Sequence, residues 1–516
     1  MRPCHYIDKG ASRDESAPCL SMGDLVMSYG DVQRFSYRMA RALEQSGIAA
    51  GEHVAILSRN DPHAFAAVFA VSRAGCVWCP VNPRNEATEN AFILENFDCT
   101  ALIFHSRFAA MVERMLPGLR RLRLLVCLDA DLPFAPSLEN WWADSSSEPF
   151  ERRGAGELAM LPGTGGTTGL PKGVMLSNGN LETMTSLMLM SYPFGERPVY
   201  LAMAPLTHAA GVLAYPILLL GGHVVIMPEP DPGEYLRLAE AHAVTHSFMA
   251  PTMIYTLLDS PALETTDLSA LRCLWYGAAP IAPARLEEAL HRIGPMGQIY
   301  GQTEAPMMIT ALSPADHYRP DGTIDRGKLS SAGRATPLVE LQVVDSGGGR
   351  VAPGEVGEIV VKGSLVMMGY YKNPEADAEV ALGEWHRTGD IGYVDDDGYL
   401  FIVDRAKDMI ISGGFNVYSA EVERALIRHP AVLECAVFGL PDRKWGERVC
   451  AAVEPRKDCA VTPEELIDFI KGEIGGVKAP KSIEFWSELP RSKVGKVLKK
   501  DIRSWYLAQR EAGGRG

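Results

Sequence analysis

No stretch of this 516-residue chain is apolar enough to cross a bilayer, and the most apolar run, around residues 214–220, stops far short of a spanning helix. The opening residues 1–19 hold no apolar h-region, so a secretory signal is not expected. An excess of positive charge is also missing. The formal net charge of −14 leaves no electrostatic footprint for nucleic acid or an anionic membrane. Ten cysteines are scattered without a framework pattern, as expected of reduced thiols in a cytoplasmic protein. Cys76 and Cys79 do spell CxxC, but within an apolar strand-like run rather than at a helix start, which fits buried strand cysteines better than a redox pair. What remains is an ordinary globular composition, 47% apolar and 22% charged, long enough for about two to four domains.

What the chain does have is the stretch LPGTGGTTGLPKGV at residues 161–174. Glycines at 163, 165, 166 and 169 let backbone N–H groups face a common point. Thr164, Thr167 and Thr168 add hydroxyl donors, and Lys172 adds a cation. That combination suits a polyphosphate. It is not a Walker A loop, because Pro171 precedes Lys172 and Gly173 follows it. Taken alone, the stretch also fits a flexible surface loop.

From Glu52 to about Asp129 strand-like runs at 53–57, 76–81, 101–105 and 124–128 alternate with helical patterns at 64–73 and 87–96, the signature of parallel βαβ units. Residues 131–157 read as a connecting loop and 180–190 as a helix following the Gly/Thr loop. A second alternating block has strands at 199–204, 223–227, 245–249 and 272–276 and a helix at 211–220, and Asp231-Pro232-Gly233-Glu234 caps a further helix. Beyond a polar, Pro- and Gly-rich stretch, 339–344, 357–362 and 399–403 alternate like antiparallel strands, with a turn at 345–349. The last segment has helices at 419–428 and from the Thr462 capping box, with strands at 431–438 and 448–453. The fold class expected is α/β: a large N-terminal domain, 1–406, with a β-rich subdomain at about 337–406, and a small C-terminal α+β domain, 407–516.

Five further segments carry chemistry. The first is Ala204-Pro205-Leu206-Thr207-His208-Ala209-Ala210-Gly211 and the second Tyr276-Gly277-Ala278-Ala279-Pro280. The third is Gln298-Ile299-Tyr300-Gly301-Gln302-Thr303-Glu304. The fourth is Trp385-His386-Arg387-Thr388-Gly389-Asp390 followed by Asp404-Arg405-Ala406-Lys407-Asp408, and the fifth is Pro490-Arg491-Ser492-Lys493-Val494-Gly495-Lys496. Each has a plainer reading in isolation. A histidine after a strand is usually structural, small residues suit a tight turn, and acids, arginines and a lysine-rich tail are usually solvated. In this order, with the Gly/Thr loop, they resemble the acyl-activating (adenylate-forming) superfamily, of the acyl-CoA synthetase or fatty- and aryl-acid CoA ligase type, over nearly the whole chain. One departure is Gly165, where many members carry serine.

The resemblance implies the roles. Thr164, Gly165, Gly166, Thr167, Thr168, Gly169 and Lys172 would cradle the phosphates of ATP. His208 would border the carboxylate and gate the acyl pocket. Gly277, Ala278 and Ala279 would flank adenine, Tyr300 would stack on it, and Gln298 would pair with its amino edge beside Gly301. Thr303 would contact phosphate and Glu304 would hold Mg²⁺, a hard cation that prefers oxygen ligands. Asp390 would accept from the ribose hydroxyls, with Arg405 beside it. Lys407 would be the hinge of a mobile C-terminal domain and Lys496 the catalytic lysine. Arg84, in an Asn-Pro-Arg turn, would meet coenzyme A phosphates, Gly413 and Gly414 would let pantetheine pass, and Trp445 would pack against coenzyme A. A solvated charge fits Arg84, and a structural tryptophan fits Trp445, equally well.

The same resemblance narrows the reaction. No acid follows His208 where amino-acid-activating members carry an aspartate, and Gly413 replaces the lysine usual in luciferase-like members. The candidates near the pocket are small or apolar, pointing to a fatty, alicyclic or aryl acid. The expectation is an ATP-dependent acid–CoA ligase working in two half-reactions with ATP, Mg²⁺ and coenzyme A. The alternatives are an acyl-AMP ligase serving a carrier protein's phosphopantetheine, and a non-catalytic nucleotide-binding protein. A homodimer and a lysine acetyltransferase acting on Lys496 complete the partners considered.

Overall fold

The computed structural model describes residues 1–152, 156–164, 171–207, 209–412, 415–442, 445–456, 459, 461–491 and 497–513. The chain divides into two compact units, Met1–Leu341 with Val361–His386, and Gln342–Val360 with Arg387–Gly516.

The first unit holds two sheets. One has the order Leu176–Ser177, Leu158–Met160, Val77–Val81, His53–Leu57, Cys99–Phe104 and Leu124–Cys127. Its inner strands are parallel, and His53–Leu57 and Val77–Val81 are buried along their whole length, which is why they read as unbroken apolar runs. Helix Pro62–Arg73 connects them, started by Asp61, whose side chain accepts from the Ala64 N–H, and by Pro62 at its first turn. Cys76 and Cys79 are both buried; burial pushes the Cys76 thiol up to about 12 and Cys79 well above the ordinary value, so neither is poised for redox chemistry.

In the second sheet, Met296–Gln302, Cys273–Tyr276, His246–Met249, Val199–Ala202, His223–Ile226 and Pro18–Met22 are parallel neighbours in that order. Ala305–Leu312 folds back antiparallel on Met296–Gln302, with Thr303 and Glu304 at the turn. The apolar run at 211–220 forms two short helices, Ala209–Leu213 and Tyr215–Leu219, rather than one. Pro216 lacks the N–H and crowds the carbonyl a turn earlier, which interrupts the helix. The stretch 131–157 also carries a short helix, Leu138–Trp141, capped by Ser137. Helices Pro3–Ala11 and Tyr29–Gln45 precede the first sheet.

In the second unit residues 390–394 pair antiparallel with 400–405, and Asp345 closes the turn to Gly349 through both its backbone and its carboxylate. A further sheet runs Phe415–Val417, Ile410–Ser412, Gly446–Pro455 and Val432–Asp442, with Ser482–Phe485 alongside Gly446–Pro455. Helices Ser419–Ile427, Pro463–Ile474 and Lys499–Gly513 belong to the same unit. The Thr462 capping box is present, its hydroxyl accepting from Glu465 N–H and its own N–H donating to the Glu465 carboxylate. No helix among the described residues is long and apolar enough to cross a membrane.

Candidate active site

Thr164 and Lys172 stand opposite one another on the two-stranded stem of the Gly/Thr loop, Gly163–Thr164 with Lys172–Gly173. The stem is anchored to residues 368–371. Tyr371 N–H donates to the Gly173 carbonyl at 2.8 Å, Met175 N–H donates to the Gly369 carbonyl at 2.9 Å, and Met368 N–H donates to the Met175 carbonyl at 2.9 Å. This register puts the Lys172 ammonium over the Tyr370 ring, 5.0 Å from its centre, and 3.7 Å from the Glu379 carboxylate. The Tyr370 hydroxyl donates to Glu304 Oε1 at 2.8 Å, and the Glu304 carbonyl accepts from Met367 N–H at 2.7 Å. Burial, and then the Glu304 charge, hold the Tyr370 pKa above the ordinary phenol value, so it donates rather than ionises. A loop lysine, a phenol and a carboxylate from three distant segments thus converge.

That convergence is the test of whether Mg²⁺ fits. Glu304 has one carboxylate oxygen fixed by Tyr370, and among the described residues its other oxygen makes no hydrogen bond. An oriented carboxylate with a spare oxygen suits a hard cation. Tyr370→Phe is therefore expected to raise the Mg²⁺ concentration needed for half-maximal activity about tenfold. A magnesium titration of pyrophosphate exchange, with the unfolding midpoint as control, checks it. Tyr370 carries no mark in the sequence, because its contact depends on a partner 66 residues away.

Segments 276–280 and 298–304 meet at the C-terminal ends of parallel strands, the usual ligand crevice of an α/β sheet. Tyr276 is in register with Gln298. A Cβ on Gly277 would lie 2.4 Å from the Ile299 carbonyl, so glycine is demanded there by the neighbouring strand. A Cβ on Gly301 would lie 2.5 Å from Met307 N, so that glycine too is required by backbone approach. Ala278 adopts φ 68, the left-handed region that costs a residue with a Cβ, and Met307 does likewise at φ 61. Ala279 follows half-buried, and Tyr300 is buried in its strand. Gln302 lies 3.3 Å from His386 Nε2, and burial lowers the His386 pKa to about 4, leaving that ring neutral.

One anchor was not foreseen from the sequence. Asn60 Nδ2 donates to the Ala204 and Met227 carbonyls at 3.1 and 3.0 Å, and its Oδ1 accepts from Leu206 N–H at 2.8 Å, fixing the segment that leads to His208. A Cβ on Gly211 would meet the Leu206 carbonyl at 2.0 Å. Arg84, whose N–H donates to Asn82 Oδ1 at 3.0 Å, belongs to a basic cluster with Arg59 and Arg107. Desolvation and then the charges of Arg107 and Arg84 lower the Arg59 pKa, and Glu229 pairs with Arg59 and Arg107.

In the second unit Asp390 is in register with Arg405, whose Nε lies 3.2 Å from Asp390 Oδ1, and the carboxylate is nearly buried. Lys407 lies on the single turn Ala406–Asp408, its pKa lowered by partial desolvation and then by the Arg405 charge. Half-buried Trp445 has Lys481 Nζ 5.4 Å from its ring centre, which fits a packing role as well as a ligand contact. Gly165, Gly166, Thr167, Thr168, Gly169, His208, Gly413, Gly414 and Lys496 lie outside the described residues.

The fold and these strand-end segments define an α/β nucleotide-binding enzyme. More narrowly, the chain belongs to the AMP-binding (adenylate-forming) enzyme family, which matches residues 7–371, with the family's C-terminal domain matching 421–496. A medium/long-chain-fatty-acid–CoA ligase of Mycobacterium tuberculosis is 35% identical over 99% of this chain and 91% of its own length. A feruloyl-CoA synthase of an Amycolatopsis species is 37% identical over 94% of this chain and 95% of its own. Among solved structures, an amide bond synthetase from Marinactinospora thermotolerans matches with a TM-score of 0.89 at 32% identity, covering 98% of this chain and 100% of that one.

Proposed function

We propose that the chain is an AMP-forming acid–CoA ligase: a carboxylate and ATP give acyl-AMP and pyrophosphate, and coenzyme A then takes the acyl group as a thioester and releases AMP. The observation that carries this reading is the meeting of Lys172, Tyr370 and Glu304 at the stem of the Gly/Thr loop. Full-length similarity to ligases named for a fatty acid and for ferulate supports an apolar fatty, alicyclic or aryl acid.

In the first half-reaction Lys172 and the loop hydroxyls hold the β- and γ-phosphates, while Lys496 meets the charge that grows on the α-phosphate as the carboxylate attacks. Glu304, oriented by Tyr370, is the residue that would hold Mg²⁺, which when bound neutralises phosphate charge. Gly277, Ala278, Gln298 and Tyr300 receive adenine, Asp390 accepts from the ribose, and His208 borders the acyl group. Rotation about Lys407, between an N-terminal domain 1–406 and a C-terminal domain 407–516, then withdraws Lys496 and brings Gly413 and Gly414 to the pantetheine. Arg84, with Arg59 and Arg107, offers the charge for coenzyme A phosphates. Ten free thiols fit the cytoplasm.

The similarity to an amide bond synthetase favours one second reading, in which a different nucleophile takes the acyl-AMP. ATP–pyrophosphate exchange across a panel of carboxylic acids, with AMP release followed with and without coenzyme A, separates the two. Exchange with one acid class and coenzyme A-dependent AMP release is expected. Exchange without that dependence moves the assignment to a carrier-protein or amine acceptor, and no exchange with any acid removes the ligase reading.

A further inference from the structure

Behind the adenine-side strands lies a buried polar chain that the proposed reaction does not use. His317 ends the short turn Pro314–His317 and is fully buried. Its Nδ1 lies 3.0 Å from the Ser313 carbonyl. A carbonyl only accepts, so Nδ1 carries the ring proton. Burial lowers the His317 pKa, so the ring stays neutral near pH 7 and Nε2 presents a bare lone pair. The Tyr276 hydroxyl lies 3.0 Å from that Nε2 and 3.3 Å from Gln298 Oε1.

A phenol has one proton to give. It goes to His317 Nε2, the nearer partner and one that cannot donate in return. Two oxygens, Tyr276 Oη and Gln298 Oε1, would then face each other with no proton between them. Exchanging the two ends of the Gln298 amide removes the conflict, since the network rather than the shape decides which end is nitrogen. The NH₂ then donates to Tyr276 Oη, and the amide carbonyl turns the other way.

We infer that His317 and Tyr276 are positioning residues that fix the Gln298 carbonyl toward the nucleobase, so that the site selects a 6-amino purine over a 6-oxo purine. The inference rests on the reading that Gln298 pairs with the adenine amino edge. An amide carbonyl accepts from an exocyclic amino group and meets a 6-oxo group lone pair to lone pair. In the opposite orientation the amide would favour the 6-oxo base. Both flanking residues are thereby set by a histidine tautomer that is itself locked by a backbone carbonyl.

The test compares ATP with ITP in pyrophosphate exchange, reading kcat/KM for each in the wild type, Tyr276→Phe, His317→Leu and Gln298→Ala. The wild type is expected to prefer ATP by at least about tenfold, the worth of one matched against one mismatched hydrogen bond. Tyr276→Phe frees the amide to turn, and the preference should fall about tenfold. His317→Leu sends the tyrosine proton to the amide oxygen, turns the NH₂ toward the base, and should shift preference further toward ITP than Tyr276→Phe does. A purely structural role would lower both substrates together and leave the ratio alone. If Gln298→Ala abolishes the preference while both other variants keep it, the positioning chain is wrong and the adenine reading stands. If Gln298→Ala also keeps it, or the wild type uses both nucleotides equally, the adenine reading falls as well. A wild type that uses both nucleotides equally overturns the inference even where a variant does not fold.

Discussion

Lys496→Ala is expected to lower acyl-AMP formation, read as ATP–pyrophosphate exchange, about 100- to 1,000-fold, while thioester formation from preformed acyl-AMP keeps most of its rate. When a carboxylate attacks the α-phosphate, charge grows on the non-bridging oxygens, and a preorganised ammonium acts on that transition state more than on the bound ground state. Lys172, on the loop stem, is the residue proposed for the β- and γ-phosphates, so it is not expected to stand in. In the second half-reaction a thiol attacks the acyl carbon, and on the proposed rotation about Lys407 the lysine is withdrawn and has no part in that step. The effect should fall on kcat rather than on the apparent affinity for ATP, since the lost interaction belongs to the transition state. Enzymatic acetylation of Lys496 removes the same charge and should reproduce the phenotype. Equal losses in both half-reactions would refute the alternation of domains.

The alternating α/β architecture was legible in the sequence because it is written locally. His53–Leu57 and Cys273–Tyr276 are buried on both faces and so read as apolar runs, and Asp61, Asp231 and Thr462 announce their helices within one turn. Ala305–Leu312 was not legible. Pro306 argues against a strand, and pairing with Met296–Gln302 on one side and Gly333–Ala335 on the other makes one of it. The candidate site divides in the same way. Motif segments could be placed in order by resemblance, but what holds them could not, because Asn60, Tyr370 and His317 act through contacts far apart in sequence. A side chain that orients another has no spacing rule of its own. The resemblance placed Gly277 against adenine, whereas backbone approach from Ile299 already requires glycine there, as approach from Met307 does at Gly301.

Lys499→Met is expected to destabilise the second unit by about 3 kcal/mol near pH 8 and by much less near pH 5, because it breaks a largely buried ion pair from one side. Lys499 Nζ lies 2.8 Å from Glu423 Oε1 and donates to Ser419 Oγ at 2.6 Å, and Ser419 in turn donates to Asp404 Oδ1 at 3.1 Å. Glu423 Oε1 also accepts from Val437 N–H at 2.7 Å, so the pair ties helix Lys499–Gly513 to helix Ser419–Ile427, strand Val432–Asp442 and the residue before Arg405. Burial works against the Lys499 charge, yet the Glu423 and Asp404 carboxylates hold its pKa above the ordinary lysine value. Burial pushes Glu423 up to about 7 even with Lys499 beside it. A carboxyl whose folded pKa is raised binds its proton more tightly folded than unfolded, so its contribution to stability is present below the unfolded value and lost as pH rises toward 7. Without the lysine the folded pKa must rise further, and the loss of stability must continue past pH 7 instead of levelling off. At pH 5 Glu423 stays protonated and neutral in either protein, which confines the penalty there to lost packing and hydrogen bonds. Hydrogen exchange of strand Val432–Asp442 at the two pH values reads the effect in the unit concerned, and adding Glu423→Gln should flatten the pH dependence. Lys499 follows Lys496 by three residues in the chain, so the same variant should slow acyl-AMP formation at pH 8 more than at lower pH.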